Sequence, residues 1–113
     1  MKDLAPSIPR QRLVVEGYPK KTITDNDIKD YLVKLSKEIH MKTLIEPVTH
    51  RSEKYGEAGW IHWETSGAHF YAWEKPQLFF SVDIYTCKPF NKSDAVEFTR
   101  DYFQASEIEY RGF

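Results

Sequence analysis

Apolar residues recur along this chain in two periods, one suited to strands and one to helices. Arg12-Leu13-Val14-Val15-Glu16-Gly17-Tyr18 is rich in β-branched and apolar residues and is closed by Pro19-Lys20-Lys21, which predicts a first strand. Ile28, Tyr31, Leu32, Leu35 and Ile39 then form one apolar stripe at helical spacing, with Thr24 or Asp25 as N-cap and Lys29, Asp30, Lys34, Lys37 and Glu38 on the opposite side. Lys42–Glu46 reads as a short strand stopped by Pro47, and a polar loop through Arg51–Glu57 becomes a candidate rim for a site. Gly59–Glu64 and His69–Trp73 read as strands separated by Thr65-Ser66-Gly67-Ala68, where Gly67 permits dihedrals that other residues avoid. Leu78, Phe80, Val82 and Ile84 alternate with Ser81 and Asp83, the pattern of a half-buried strand. Asn91, with Asp94 three residues on, opens a second helix whose stripe is Ala95, Phe98, Thr99, Tyr102 and Phe103, and Glu107–Arg111 is a last strand.

The order β-α-β-β-β-β-α-β supplies two helices, too few to cover both faces of a sheet. It predicts an α+β two-layer sandwich, with a mostly antiparallel sheet carrying both helices on one face. The other face is left for water or a partner, and a homodimer formed through that face or a sheet edge is expected. At 113 residues one core is expected: a flexible N-terminal segment, 1–10, and a single domain, 11–113.

Composition narrows the class of function. A formal net charge of -1 gives no broad electrostatic footprint, so nucleic acid is not an expected partner. No stretch has the length of a signal-peptide core or a membrane span, and the one cysteine, Cys87, excludes an internal disulfide. These features together predict a soluble, cytoplasmic protein with no membrane partner. The aromatic share of 15% is high for so short a chain, and suits a sheet face or a subunit contact.

Three local matches resemble the prokaryotic single-domain S-adenosylmethionine decarboxylases. Thr65-Ser66 followed by Trp73 resembles that family's Glu-Ser cleavage site and its downstream Trp. Val82-Asp83-Ile84-Tyr85-Thr86-Cys87 resembles its Val-Asp-aromatic-Thr-Cys stretch, and Ala58-Gly59 stands where the family has Ser-Gly. His50 matches a histidine of the preceding loop. The resemblance implies a proenzyme of polyamine biosynthesis that cuts its own backbone between Thr65 and Ser66. Ser66 then becomes a pyruvoyl group, an electron sink for decarboxylation of S-adenosylmethionine or a related amine. Cys87 would be the proton donor, and Glu16 and Trp73 substrate-binding residues.

The chain departs from the family pattern at four positions. Thr65 replaces the cleavage-site Glu, Gly67 a His, Tyr71 the histidine five residues after the serine, and Ala58 the hydroxyl residue eight before it. A neutral phenol is a poor base at neutral pH, so His69, which shares a strand face with Tyr71, or His62 is the expected substitute. The alternative is an unprocessed, catalytically inactive family member that serves as a small-ligand-binding or dimer-partner module.

Each candidate also has a plainer role. Ser66 can be a turn residue, Cys87 a small buried hydrophobe and Glu16 an exposed strand carboxylate, while Trp60, Trp63, Tyr71 and Trp73 can pack a core or a dimer face. His62, Glu64 and His69 or His50 form only a weak metal pattern, and no metal is expected.

Overall fold

The computed structural model describes all 113 residues. Its elements are β1 (Gln11–Tyr18), α1 (Asp25–Glu38), β2 (Thr43–Ser52), β3 (Gly56–Trp63), β4 (Ser66–Trp73), β5 (Phe79–Thr86), α2 (Lys92–Phe103) and β6 (Glu107–Gly112). The strands form one six-stranded sheet in the order β2-β3-β4-β5-β1-β6. Every neighbouring pair is antiparallel. Both helices pack on one face of the sheet, α1 over β2 and β3, α2 over β1 and β6. Residues 1–10 carry no helix or strand, and Arg10 pairs with Asp3 there.

Alternation decides what each strand buries. Leu13 and Val15 of β1, Ile61 and Trp63 of β3, Ala68, Phe70 and Ala72 of β4, and Phe80, Val82 and Ile84 of β5 point toward the helices and are buried. They meet Ile28, Tyr31, Leu32 and Leu35 of α1 and Ala95, Val96 and Phe103 of α2 in one core. Buried polar groups in that core are paired, as the cost of stranding them demands. Trp63 Nε1 donates to Ser36 Oγ at 2.7 Å, and the Tyr31 hydroxyl lies 2.7 Å from Thr99 Oγ1.

The helix starts follow their capping chemistry. Thr24 accepts from the Asp27 N–H while the Asp27 carboxylate accepts from the Thr24 N–H, a complete capping box. Asn91 accepts from the Asp94 N–H and so caps α2.

Boundaries differ from expectation at three places, one of them the start of β4, which lies at Ser66 and not at His69 because Ser66, Gly67 and Ala68 pair with both neighbouring strands. Pro47 does not end its strand: β2 continues to Ser52, and the register shifts between Ile45 and Val48. An edge strand with a bulge tolerates a residue that lacks an N–H. The expected Arg51–Glu57 loop accordingly shrinks, because Arg51 and Ser52 lie in β2 and Gly56 and Glu57 in β3. Its Arg51 is tied to Glu57 at 2.9 Å and Glu74 at 3.2 Å, so this hairpin end lies beside the far end of β4 and forms no rim around Ser66.

Candidate active site

Ser66 opens β4 just after the two-residue turn Glu64-Thr65, with Trp63 its register partner on one side and Thr86 on the other. The positive φ expected of Gly67 falls on Ser66 instead, at 131°, a region that L-residues rarely occupy and that costs on the order of 1–3 kcal/mol. Glycine is needed at position 67 for space, since a Cβ there would run into the Ile61 carbonyl oxygen.

The turn is gripped from both sides. The Glu64 N–H donates to Lys42 O at 2.9 Å, and Thr65 Oγ1 donates to Met41 Sδ at 3.3 Å. Across the sheet, the Cys87 N–H donates to the Thr65 carbonyl oxygen at 2.8 Å. That carbonyl belongs to the peptide bond the resemblance marks for cleavage. Cys87, an exposed residue, also sets its Sγ 3.7 Å from Ser66 Oγ. The exit of β5 thus brings one N–H and one thiol to the Thr65-Ser66 bond.

The sheet face away from the helices holds the rest. Ser66 and Gly67 line an open cleft of about 830 Å³ with Arg12, Trp60, His62, His69, Asp83 and Tyr85. Arg12 forms a fork on Asp83, Nε to Oδ1 at 3.0 Å and Nη2 to Oδ2 at 2.7 Å, which raises the guanidinium pKa. Sequence reading missed Arg12, whose strand-end position gives no signal until β1 is set beside β5.

The candidates separate into two groups. His69 Nδ1 lies 3.3 Å from the Tyr71 hydroxyl, and Tyr71 faces Ala58 across β3 and Ser81 across β5. Ser81 is in turn the register partner of Glu16. Tyr71 is five residues beyond Ser66, or about 16 Å along an extended strand. Tyr71, Ala58, Glu16 and Trp73 therefore gather at one end of the open face, with Ser66 and Cys87 at the other. His69 is three residues from Ser66 and lies between them, while His62 faces Gly67 across the hairpin and stands nearer the turn.

Rings run diagonally across this face. Trp60, His69, Tyr71, Trp73, Phe79 and Tyr18 succeed one another with centroids between 5.3 and 6.4 Å apart. Trp63 is the exception among the expected stacking residues, fully buried on the helix side. No three of the chain's His, Cys, Asp and Glu side chains assemble into a metal-holding group, His62 and Glu64 with His69 or His50 included. No helix is long and apolar enough to cross a membrane.

The fold and hairpin define an α+β sandwich with a hydroxyl, a thiol and a polarised carbonyl at one sheet end. A sequence model of the S-adenosylmethionine decarboxylases matches residues 11–113, and the chain belongs to that family. Among solved structures, it is similar in fold to the crystal structure of the adenosylmethionine decarboxylase from Aquifex aeolicus vf5. The TM-score is 0.75 at 17% identity, covering 94% of this chain and 89% of that one. No curated protein matches the chain.

Proposed function

We propose that this chain is a self-processing S-adenosylmethionine decarboxylase of polyamine biosynthesis, working in the cytoplasm as a homodimer. The observation that carries the reading is the 2.8 Å hydrogen bond from the Cys87 N–H to the Thr65 carbonyl, beside a strained serine whose hydroxyl belongs to the next residue. Such a donor draws electron density from the carbonyl carbon and stabilises the oxyanion that attack creates.

Ser66 Oγ attacks the Thr65 carbonyl carbon, the Thr65–Ser66 C–N bond breaks, and the freed amine takes the hydroxyl proton. Breaking that bond also releases Ser66 from its 131° dihedral, so stored strain favours the ester. Loss of the Ser66 α-proton and cleavage of its Cβ–Oγ bond then leave Thr65 as a carboxylate. The new N-terminal dehydroalanine tautomerises and hydrolyses to a pyruvoyl end with release of ammonia. The residues present fit that group, since the hydroxyl, the polarised carbonyl and the Cys87 thiol already meet at one bond. When formed, it supplies the electron sink for loss of carbon dioxide. Cys87 Sγ holds the proton that returns to the substrate carbon, and the open cleft offers Trp60 and Tyr85 as flat surfaces for an adenine.

The α-proton needs a base. His62, the register partner of Gly67, supplies an imidazole beside the turn. A second copy packed face to face, with its two-fold axis running across the strands, sets the Tyr71, His69 and Glu16 end of one protomer over the Ser66 end of the other. This arrangement reunites the two groups of candidates and covers the ring-lined face.

One observation favours the unprocessed alternative: Tyr71 and Ala58, which replace the family's His and hydroxyl residue, face each other directly. That reading predicts nucleoside binding by calorimetry without release of carbon dioxide. The decarboxylase reading predicts labelled carbon dioxide from carboxyl-labelled S-adenosylmethionine, and its loss when the carbonyl end is trapped with hydroxylamine. A purified full chain that binds the substrate but releases no label supports the alternative.

A further inference from the structure

We infer that Thr86 is a positioning residue that aims the Cys87 N–H and thiol at the Thr65–Ser66 bond; the inference rests on the self-processing reading above. Thr86 ends β5 and is fully buried, yet its hydroxyl makes no contact with the cleft. It closes on the backbone two residues ahead instead. Thr86 Oγ1 donates to Lys88 O at 2.6 Å and accepts from the Lys88 N–H at 2.7 Å. One hydroxyl thus uses its proton and a lone pair on the same residue, and Cys87 is the residue enclosed by that loop.

The enclosure fixes both groups that reach Ser66. With residues 86 and 88 clamped, the Cys87 peptide plane has little freedom, and its N–H meets Thr65 O at 2.8 Å while Sγ sits 3.7 Å from Ser66 Oγ. The outer end of the loop is anchored as well, because Lys88 Nζ donates to His40 O at 2.7 Å. Thr86 is also the register partner of Ser66, so the clamp and the bond it serves lie on adjacent strands with no intervening element to absorb a shift. Misplacing a reacting group by about 1 Å costs roughly 100-fold, so a side chain that touches no substrate can govern the rate.

The test compares Thr86→Val, which keeps the shape and removes both hydrogen bonds, with Thr86→Ser, which keeps the hydroxyl. In freshly expressed full chain, Thr86→Val is expected to slow conversion to two fragments roughly 10- to 100-fold, and Thr86→Ser to stay within about threefold. A second readout is independent of cleavage. In a Ser66→Ala background, amide hydrogen exchange at Cys87 is expected to lose at least about tenfold protection in Thr86→Val, while Ile84 in the middle of β5 keeps its own. Thr86→Ala replaces Thr86→Val if the valine methyl prevents folding. Equal slowing by valine and serine, or loss of protection spread evenly over β5, overturns the inference and leaves Thr86 a fold residue only. If the wild-type chain never cleaves, the decarboxylase reading fails, and Cys87 exchange alone then upholds or overturns the clamp.

Discussion

Two atoms of Cys87 reach the Thr65–Ser66 bond, and mutation can separate them. Its N–H lies on the Thr65 carbonyl whatever the side chain, whereas only the thiol can donate a proton to a substrate carbon. Cys87→Ala is therefore expected to keep cutting at Thr65–Ser66 and to lose about 100-fold or more in carbon dioxide release, the range of a removed general acid. Intact mass and a label-release assay on the same preparation separate the two effects. Residue types at this site were legible in the sequence: Ser66 and Cys87 stand out through their neighbours. The backbone donor was not, because an N–H leaves no mark on residue identity, and the positive φ lies on Ser66, one residue before the glycine whose freedom the sequence shows.

Among the elements, the join between α1 and α2 rests on a few polar contacts set in aromatic packing. Thr99 Oγ1 donates to Ala95 O at 2.7 Å, so the buried Tyr31 hydroxyl is the donor to Thr99, and burial raises its pKa. Tyr31→Phe removes that bond while Thr99 keeps its carbonyl partner. A loss of about 1 kcal/mol is expected from urea midpoints at constant slope. Nearby, hydrogen bonds from Lys34 first and Tyr102 second hold the Asp30 carboxyl below its ordinary value of 3.8. A carboxylate with a depressed folded pKa stabilises the fold above its unfolded value and ceases to do so as pH falls through the folded one. Asp30→Asn is thus expected to lower the melting temperature slightly at neutral pH, since Asp30 is half exposed, and to make no difference well below pH 3.8. Melting curves at both extremes check the sign. The stripes of both helices and the alternation of β5 were readable because burial on one face enforces a period. The bulge that carries β2 past Pro47 was not, since it depends on β2 being an edge.

On the scale of the whole molecule, one sheet face is sealed by helices and the other shows a diagonal of rings with Tyr71 40% and Tyr18 39% exposed. Open aromatic surface of that kind is expected to pair two copies. Trp73→Glu, which puts a charge inside the diagonal, is expected to shift sedimentation from dimer to monomer at micromolar concentration, with the circular dichroism of each protomer unchanged. The sequence pattern implied this face by counting helices against strands. It could not show that Ser66 and Tyr71 lie at opposite ends, because that follows only once the hairpin fixes Ser66 as the first residue of β4.

The central claim is that the Thr65–Ser66 bond breaks without any other protein. Intact-mass analysis of the denatured full chain, followed over hours after purification beside a Ser66→Ala control, measures this most directly. The expected result is a fragment ending at Thr65 and a second covering residues 66–113 whose blocked first residue has the mass of a pyruvoyl group, with the control remaining whole. A single unbroken species of full mass in both samples would contradict the account.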